Sequence, residues 1–207
     1  MSDTLTERNL PYLSWDHIVH YSGNMQHNEW RARVGRIRDF DIVGAHQFNV
    51  LTGLGGLREH HILVDVGCGC LRAGKLLIPY LDLAHYLGLE PNGELITAGV
   101  MHEVGPGLIS KKGVRFTQRD DFDFYEEWPH VEPDFVLADG VIDSTNIEAF
   151  VDALDRGLSL DRGEAWITID LEDLEGTVLR EVASDYKVTA LKPQHPEKRS
   201  WFRLVPK

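Results

Sequence analysis

The stretch HILVDVGCGCLRAGKLLIPYLDLAHYLGLEPNGELITAG, residues 61–99, decides how the rest of the chain is read. It opens with an apolar run, 62–66, broken only by Asp65. Such a run bounded by glycines predicts a buried parallel strand. Gly67-Cys68-Gly69-Cys70 then makes a turn that only small residues fit. A helix is predicted over 71–81, with Leu76, Leu77 and Ile78 on its apolar face. A second buried strand, 86–89, ends on Glu90. This is one half of a nucleotide-binding α/β unit. Glycines allow the backbone to approach a ligand where a Cβ would clash. A helix N-terminus offers unpaired N–H groups to an anion. A carboxylate at the tip of the second strand is placed to accept from two ribose hydroxyls.

The glycine spacing separates two kinds of nucleotide site. A dinucleotide fingerprint has the form G-x-G-x-x-G. Here Gly67 and Gly69 are followed by Arg72, and the next glycine is Gly74. VDVGCG followed by LGLEPN instead resembles the first motif and second-strand acid of class I S-adenosylmethionine-dependent methyltransferases. The resemblance runs over roughly residues 47–207. It is finer for the bacterial enzymes of polysaccharide and secondary-metabolite pathways, through Gly44-Ala45-His46-Gln47-Phe48, CGCLRAGKLLIPYL and GLEPNGELITAG. That resemblance implies a Rossmann-like, seven-stranded, mostly parallel sheet with helices on both faces and an antiparallel hairpin at its edge. It also implies methyl transfer to a hydroxyl of a small molecule, a sugar or glycan, with S-adenosylmethionine as cofactor. The rival readings are an NAD(P)-dependent oxidoreductase and a methyltransferase fold serving as a non-catalytic binding subunit.

The remaining elements follow the same alternation. Before the core unit, residues 1–60 form an extension. Helices are predicted there over 28–39, from Trp30, Val34 and Ile37, and over 42–51 behind Asp41. After it come a helix over 92–103, a loop at Gly105-Pro106-Gly107 and a strand at 114–117. A strand at 135–138, a helix at 146–158, a strand at 165–169 and a helix at 174–183 follow. Strands at 187–191 and 201–205 close the chain. Alternating strands and helices predict a mostly parallel sheet. The domain division expected is 1–60 as a covering extension and 61–207 as the methyltransferase unit.

Ligands of open α/β sheets sit beyond the carboxyl ends of the strands. Four strand ends therefore supply the candidates. Asp65, Gly67, Cys68, Gly69 and Arg72 come from the first, and Glu90 and Pro91 from the second. The third gives Asp120, Asp121 and Phe122, of which one acid is expected at the adenine amino group by resemblance. The fourth gives Asp139, beside the sulfonium. Gln47 is placed near cofactor or acceptor. A hydroxyl acceptor profits from a base; Asp139 is the first candidate, with His46 and His102 behind it. Asp139, Asp143 and Asp170 could also converge on Mg²⁺, since hard cations take carboxylate oxygens.

Bulk composition narrows the partners. The chain has 207 residues with 21 basic and 33 acidic side chains, a net charge of −12. That balance argues against nucleic acid, whose phosphates are held by Lys and Arg. The two cysteines lie two residues apart in the glycine turn and frame no disulfide scaffold. The N-terminal stretch MSDTLTERNL has no apolar signal core, and no segment is long enough to span a membrane. A cytoplasmic location, a small-molecule partner and a homodimer as the oligomer to test are the resulting expectations.

Overall fold

In the computed structural model, residues 29–170, 182, 184–191 and 195–207 are described. The core unit follows the expected alternation. β1 (Leu63–Val66) leads through the glycine turn to α3 (Gly74–Tyr80) and β2 (Tyr86–Leu89). The two helices before it are α1 (Glu29–Ala32) and α2 (Phe40–Asn49). Beyond β2 lie α4 (Gly93–Ala98), α5 (Pro106–Lys112), β3 (Arg115–Thr117) and α6 (Phe124–Glu127). β4 (Phe135–Asp139), α7 (Ile147–Gly157), β5 (Glu164–Asp170), β6 (Tyr186–Ala190) and β7 (Arg199–Pro206) complete the set.

The strands form one seven-stranded sheet in the order β3-β2-β1-β4-β5-β7-β6. β1 to β5 are mutually parallel, and β7 runs antiparallel to both β5 and β6. The order reverses between β1 and β4, which creates the switch-point crevice. The antiparallel pair is present as expected, with one refinement. β7 is inserted between β5 and β6, so the strand at the rim is β6.

The strands read as continuous apolar runs because both faces are covered. Leu63, Phe135, Leu137, Trp166 and Trp201 point to one face and pack with Leu71, Leu77 and Val50. Val64, Val66, Val136, Ala138 and Ile167 point to the other and pack under α7. α7 shows the helical spacing plainly: Ile147, Phe150, Val151 and Leu154 form its buried stripe. Val50, Leu51 and Leu57, from the extension, belong to the same core as β1.

Several boundaries differ from the sequence expectation, each for a physical reason. The helix expected over 28–39 is broken. α1 ends at Ala32, and a 3₁₀ turn follows at Ile37–Asp39. Gly35 between them has φ +140°, and a Cβ there would meet Glu197 Oε1 at 2.5 Å. Trp30 and Val34 pack on Cys70 and Leu95, whereas Ile37 is exposed. The Gly105-Pro106-Gly107 cluster, expected as a loop, instead starts α5. Pro106 takes the first helical position, where its missing N–H costs nothing, and Gly113 at φ +60° ends the helix. α2 and α4 continue as π-helical turns, Val50–Leu54 and Gly99–Val104. Gly99 lies so close to the glycine turn that a Cβ would stand 2.6 Å from the Cys70 carbonyl carbon. α3 begins at Gly74, later than expected. The helix expected over 174–183 lies, but for Val182, outside the described residues.

Candidate functional site

The carboxyl ends of β1, β2 and β4 border two adjoining cavities. The larger, about 430 Å³, is lined by Asp65, the glycine turn, Gln47, Arg72, Asp139 and Arg199, among others. The smaller, about 300 Å³, is lined by Pro91, Arg119, Asp120, Phe122 and Leu89. Gly67, Glu90 and Val141 border both.

The glycine turn is built to bring backbone close. Gly67 and Gly69 have φ +69° and +53°, and a Cβ on Gly67 would overlap the Val141 side chain. Its amides are not free, however. Gly67 N–H and Cys68 N–H donate to Leu89 O at 2.7 and 3.1 Å. Gly69 N–H donates to Glu90 Oε2 at 3.1 Å. Glu90 also takes Asn92 N–H on Oε1 at 2.9 Å. Burial raises its pKa, and the two amide bonds oppose that rise. Glu90 borders both cavities. Cys68 and Cys70 are free and buried. Burial pushes the Cys70 thiol up to about 12, so it stays protonated.

At the third strand end the two acids separate. Asp121 is held by Arg119 in a two-pronged ion pair at 2.6–2.8 Å, and these bonds lower its pKa to about 2. Asp120, not Asp121, borders the smaller cavity, beside Phe122. Phe122 has φ +62°, unusual for an aromatic residue, and packs edge-on against Phe150.

The fourth strand end carries a charged hub. The Asp139 side chain is 2% exposed. Its Oδ1 accepts from Thr168 Oγ1 at 2.5 Å and meets Arg199 Nη1 at 3.5 Å. Its Oδ2 accepts from Gln47 Nε2 at 2.5 Å and Arg72 Nη2 at 3.3 Å, and meets His195 Nε2 at 3.0 Å. Burial alone would raise its pKa, but the bond and field of His195, then Arg72 and Thr168, hold it far below the carboxylate range. Asp65, on the neighbouring strand, accepts Tyr86 O–H at 2.6 Å. Burial dominates there and pushes its pKa up to about 7.

These contacts reassign several candidates. Asp139 has both oxygens engaged by these donors, which disfavours it as the base for a hydroxyl proton. His46 borders the hub, 5.6 Å ring to ring from His195. Its Nε2 accepts Trp201 Nε1–H at 3.0 Å, so its proton, assigned from this bond, sits on Nδ1. In that state Nδ1–H donates and the Nε2 lone pair is taken up by Trp201. His102 is outside the cavity lining and stacks on Trp30 at 4.3 Å. Asp143 is turned into its own loop, accepting Thr145 N–H and O–H at 2.8 and 2.6 Å. Asp170 ends β5, and its side chain lies outside the described residues. Among the described residues no group of three or more His, Cys, Asp or Glu side chains is disposed to hold a metal ion.

Sequence reading missed His195, 1% exposed, and Arg199. His195 Nδ1 accepts Glu197 N–H at 3.0 Å, which leaves Nε2–H to face Asp139. Neither residue lies in a motif, and nothing local announces that the two side chains reach Asp139 at the end of β4. Arg72 was foreseen but not its span: Nη1 donates to Val34 O at 2.8 Å, tying the 33–36 strap to the hub.

No family model and no curated protein matches the sequence. Solved structures do share the fold. A TehB-like SAM-dependent methyltransferase from Corynebacterium glutamicum superposes with a TM-score of 0.60 at 18% identity, covering 94% of this chain and 100% of that one. A precorrin-6y C5,15-methyltransferase from Geobacter metallireducens gives 0.58 at 14%, covering 79% and 87%. A putative rRNA methylase from Clostridium thermocellum gives 0.58 at 14%, covering 80% and 95%. At such identities the likeness establishes the Rossmann-like methyltransferase fold. No helix among the described residues is long and apolar enough to cross a membrane.

Proposed function

We propose that the chain is an S-adenosylmethionine-dependent methyltransferase acting on a hydroxyl of a small polar acceptor, a sugar or glycan. One observation carries the reading: two adjoining cavities at the switch point with the Glu90 carboxylate at their junction. The residues fit an adenosine group in three places. Asp120 and Phe122 offer an acceptor and an apolar wall for adenine, Glu90 accepts from ribose hydroxyls, and the larger cavity takes what extends beyond. The glycine-turn amides favour this over a nicotinamide dinucleotide. Those of Gly67, Cys68 and Gly69 are already spent on Leu89 and Glu90, so they cannot cradle a pyrophosphate. The fold neighbours are methyltransferases whose named targets include rRNA and a precorrin, and the acceptor reading rests on the sequence resemblance and the polar lining.

When bound, the cofactor supplies an electrophilic methyl group on sulfur. The protein's work is orientation of the acceptor in line with that carbon. Asp139 contributes by fixing Gln47 and Arg72 at the cavity wall rather than by moving a proton. Of the extension, the described residues 29–60 would cover the acceptor side through α2 and the 33–36 strap.

Thermal shift with S-adenosylhomocysteine, S-adenosylmethionine and NADH in parallel tests the reading. A ligand at about 100 times its Kd stabilises by roughly 2.7 kcal/mol, a rise on the order of 5 °C. A rise with the two sulfur compounds supports it and leads to an acceptor screen of free sugars with and without Mg²⁺. A rise with NADH alone overturns it.

A further inference from the structure

We propose that Glu103, on the π-helical turn after α4, is a positioning residue that latches the strap against the larger cavity and so sets how fast the cofactor enters and leaves. The proposal rests on the methyltransferase reading above and extends it to a residue that lines neither cavity.

The strap is a wall of the site. Arg33, Val34 and Gly35 line the larger cavity. Val34 rests so closely on the glycine turn that a Cβ on Gly69 would stand 2.7 Å from its Cγ1. The strap therefore closes one side of the space the cofactor would fill.

Its two ends are held differently. At the N-terminal end, where α1 leads into the strap, the Glu103 side chain is 3% exposed and collects three hydrogen bonds. Trp30 Nε1–H and Arg31 Nε–H donate to Oε1 at 2.9 and 2.6 Å, and Arg31 Nη2–H donates to Oε2 at 2.6 Å. Such a two-pronged arginine–carboxylate pair fixes orientation as well as charge. At the other end stands Gly35, at a φ of +140° that favours glycine. The ties between are lighter. Arg72 gives one hydrogen bond to Val34 O, and Arg33 meets Glu94 at 2.9 Å with both side chains more than 40% exposed. One end is a buried latch and the other a glycine pivot.

The apolar packing has the same division. Trp30, Phe40, Cys70, Leu95 and Ala98 form a small cluster apart from the two that cover the sheet, and Val34 packs against it. Lifting the strap empties that cluster and leaves both sheet faces covered, so the motion is open to the native state. The base of the latch is fixed to the site. Glu90 accepts Asn92 N–H, Asn92 caps α4, and α4 runs on into the turn that carries Glu103.

Stopped-flow binding of S-adenosylhomocysteine, followed by tryptophan fluorescence, tests the proposal on wild type, Glu103→Gln and Arg31→Lys. The lysine keeps the charge and loses the two-pronged fit. A gate limits entry and exit alike, and the latch is weakened equally in free and bound protein. Association and dissociation rates should therefore both rise about 10-fold, with Kd changed by less than about threefold. Hydrogen exchange without ligand gives a second reading. The amides of Arg33 and Val34, bonded to Trp30 O and Arg31 O, should exchange about 10-fold faster in both variants, with β1 and β4 unchanged. Unchanged rates and exchange make the strap a fixed wall and overturn the proposal. Faster dissociation alone, with a weakened Kd, overturns it by making the strap a ligand contact. Faster exchange throughout the sheet overturns it by giving Glu103 a role in the whole fold. A wild type that does not bind S-adenosylhomocysteine removes the methyltransferase reading, and the exchange measurement alone then decides the latch.

Discussion

Two carboxylates, Asp65 on β1 and Asp139 on β4, stand on the same face of adjacent parallel strands, and both side chains are buried. Their acidities are opposite. Asp65, with a tyrosine hydroxyl as its hydrogen-bond donor, is pushed up to about 7. Asp139, two positions further along the register and surrounded by Arg72, Arg199, His195 and Thr168, is held far below the usual range. Burial is common to both, so the company decides. The difference marks two halves of the cleft. The β1–β2–β3 half is shaped by backbone and has few charges to balance. The β4–β5–β7 half is organised by a buried anion.

Removing that anion breaks the contrast most severely. Asp139→Asn removes the buried carboxylate shared by Arg72 and Arg199, which keep Glu197, and breaking a buried pair costs at most about 3–5 kcal/mol. Urea denaturation should show that loss. A change under about 1 kcal/mol would mean the hub is not held by charge.

The pH dependence tests the other partner. Asp65 has a folded pKa above its unfolded value, so the folded state binds the extra proton. Its burden on stability is absent below about pH 4, grows as pH rises, and is complete above about 7, reaching on the order of 1–4 kcal/mol. Asp139 behaves oppositely: its depressed pKa contributes stability above about pH 4 that is lost as pH falls further. Asp65→Asn should therefore flatten the decline between pH 5 and 8 in denaturant midpoints, while leaving acid unfolding in place. An unchanged decline would show that Asp65 ionises freely.

Effects confined to the adenosine half are smaller. Gly67→Ala places a Cβ against Val141 at a positive φ, at a cost of about 1–2 kcal/mol from backbone conformation alone. Val141→Ala in the same chain should relieve the overlap but not the backbone term, which melting of the single and double variants can resolve. Smallest is the pair at the third strand end. Asp121→Ala removes an exposed ion pair worth at most about 1 kcal/mol and should leave S-adenosylhomocysteine affinity unchanged. Asp120→Ala should weaken that affinity several-fold with little change in melting. Equal ligand effects would break the assignment of Asp120 to the smaller cavity.

The two halves also differ in how far sequence exposes them. Gly67, Gly69, Glu90, Pro91 and Phe122 are legible as cavity-lining positions because each follows from a local rule, a glycine turn or a strand tip. The hub is not. Gln47 and Asp139 are separated by 92 positions, and Asp139 and His195 by 56. No spacing rule connects them. Asp139 read as a base because its strand-end position was visible and its cations were not. His46 and His102 were candidates by residue type, and only the Trp201 and Trp30 contacts place them. Gly35 broke a helical pattern for a tertiary reason, the nearness of Glu197.

The place of β7 has a consequence for how the molecule forms. β7 follows β6 in the chain yet lies between β5 and β6. A growing polypeptide that has made β5 keeps one ladder of N–H and C=O groups open until β7 is synthesised. It also leaves Trp166 without Trp201, its partner in the core. An open ladder is a template for pairing with another chain. β6 pairs only with β7, so the two strands join the sheet as an antiparallel pair through the β7–β5 ladder, a longer-range contact than those within the helices. Until β7 pairs, the open β5 ladder is the edge of the sheet most available to another chain.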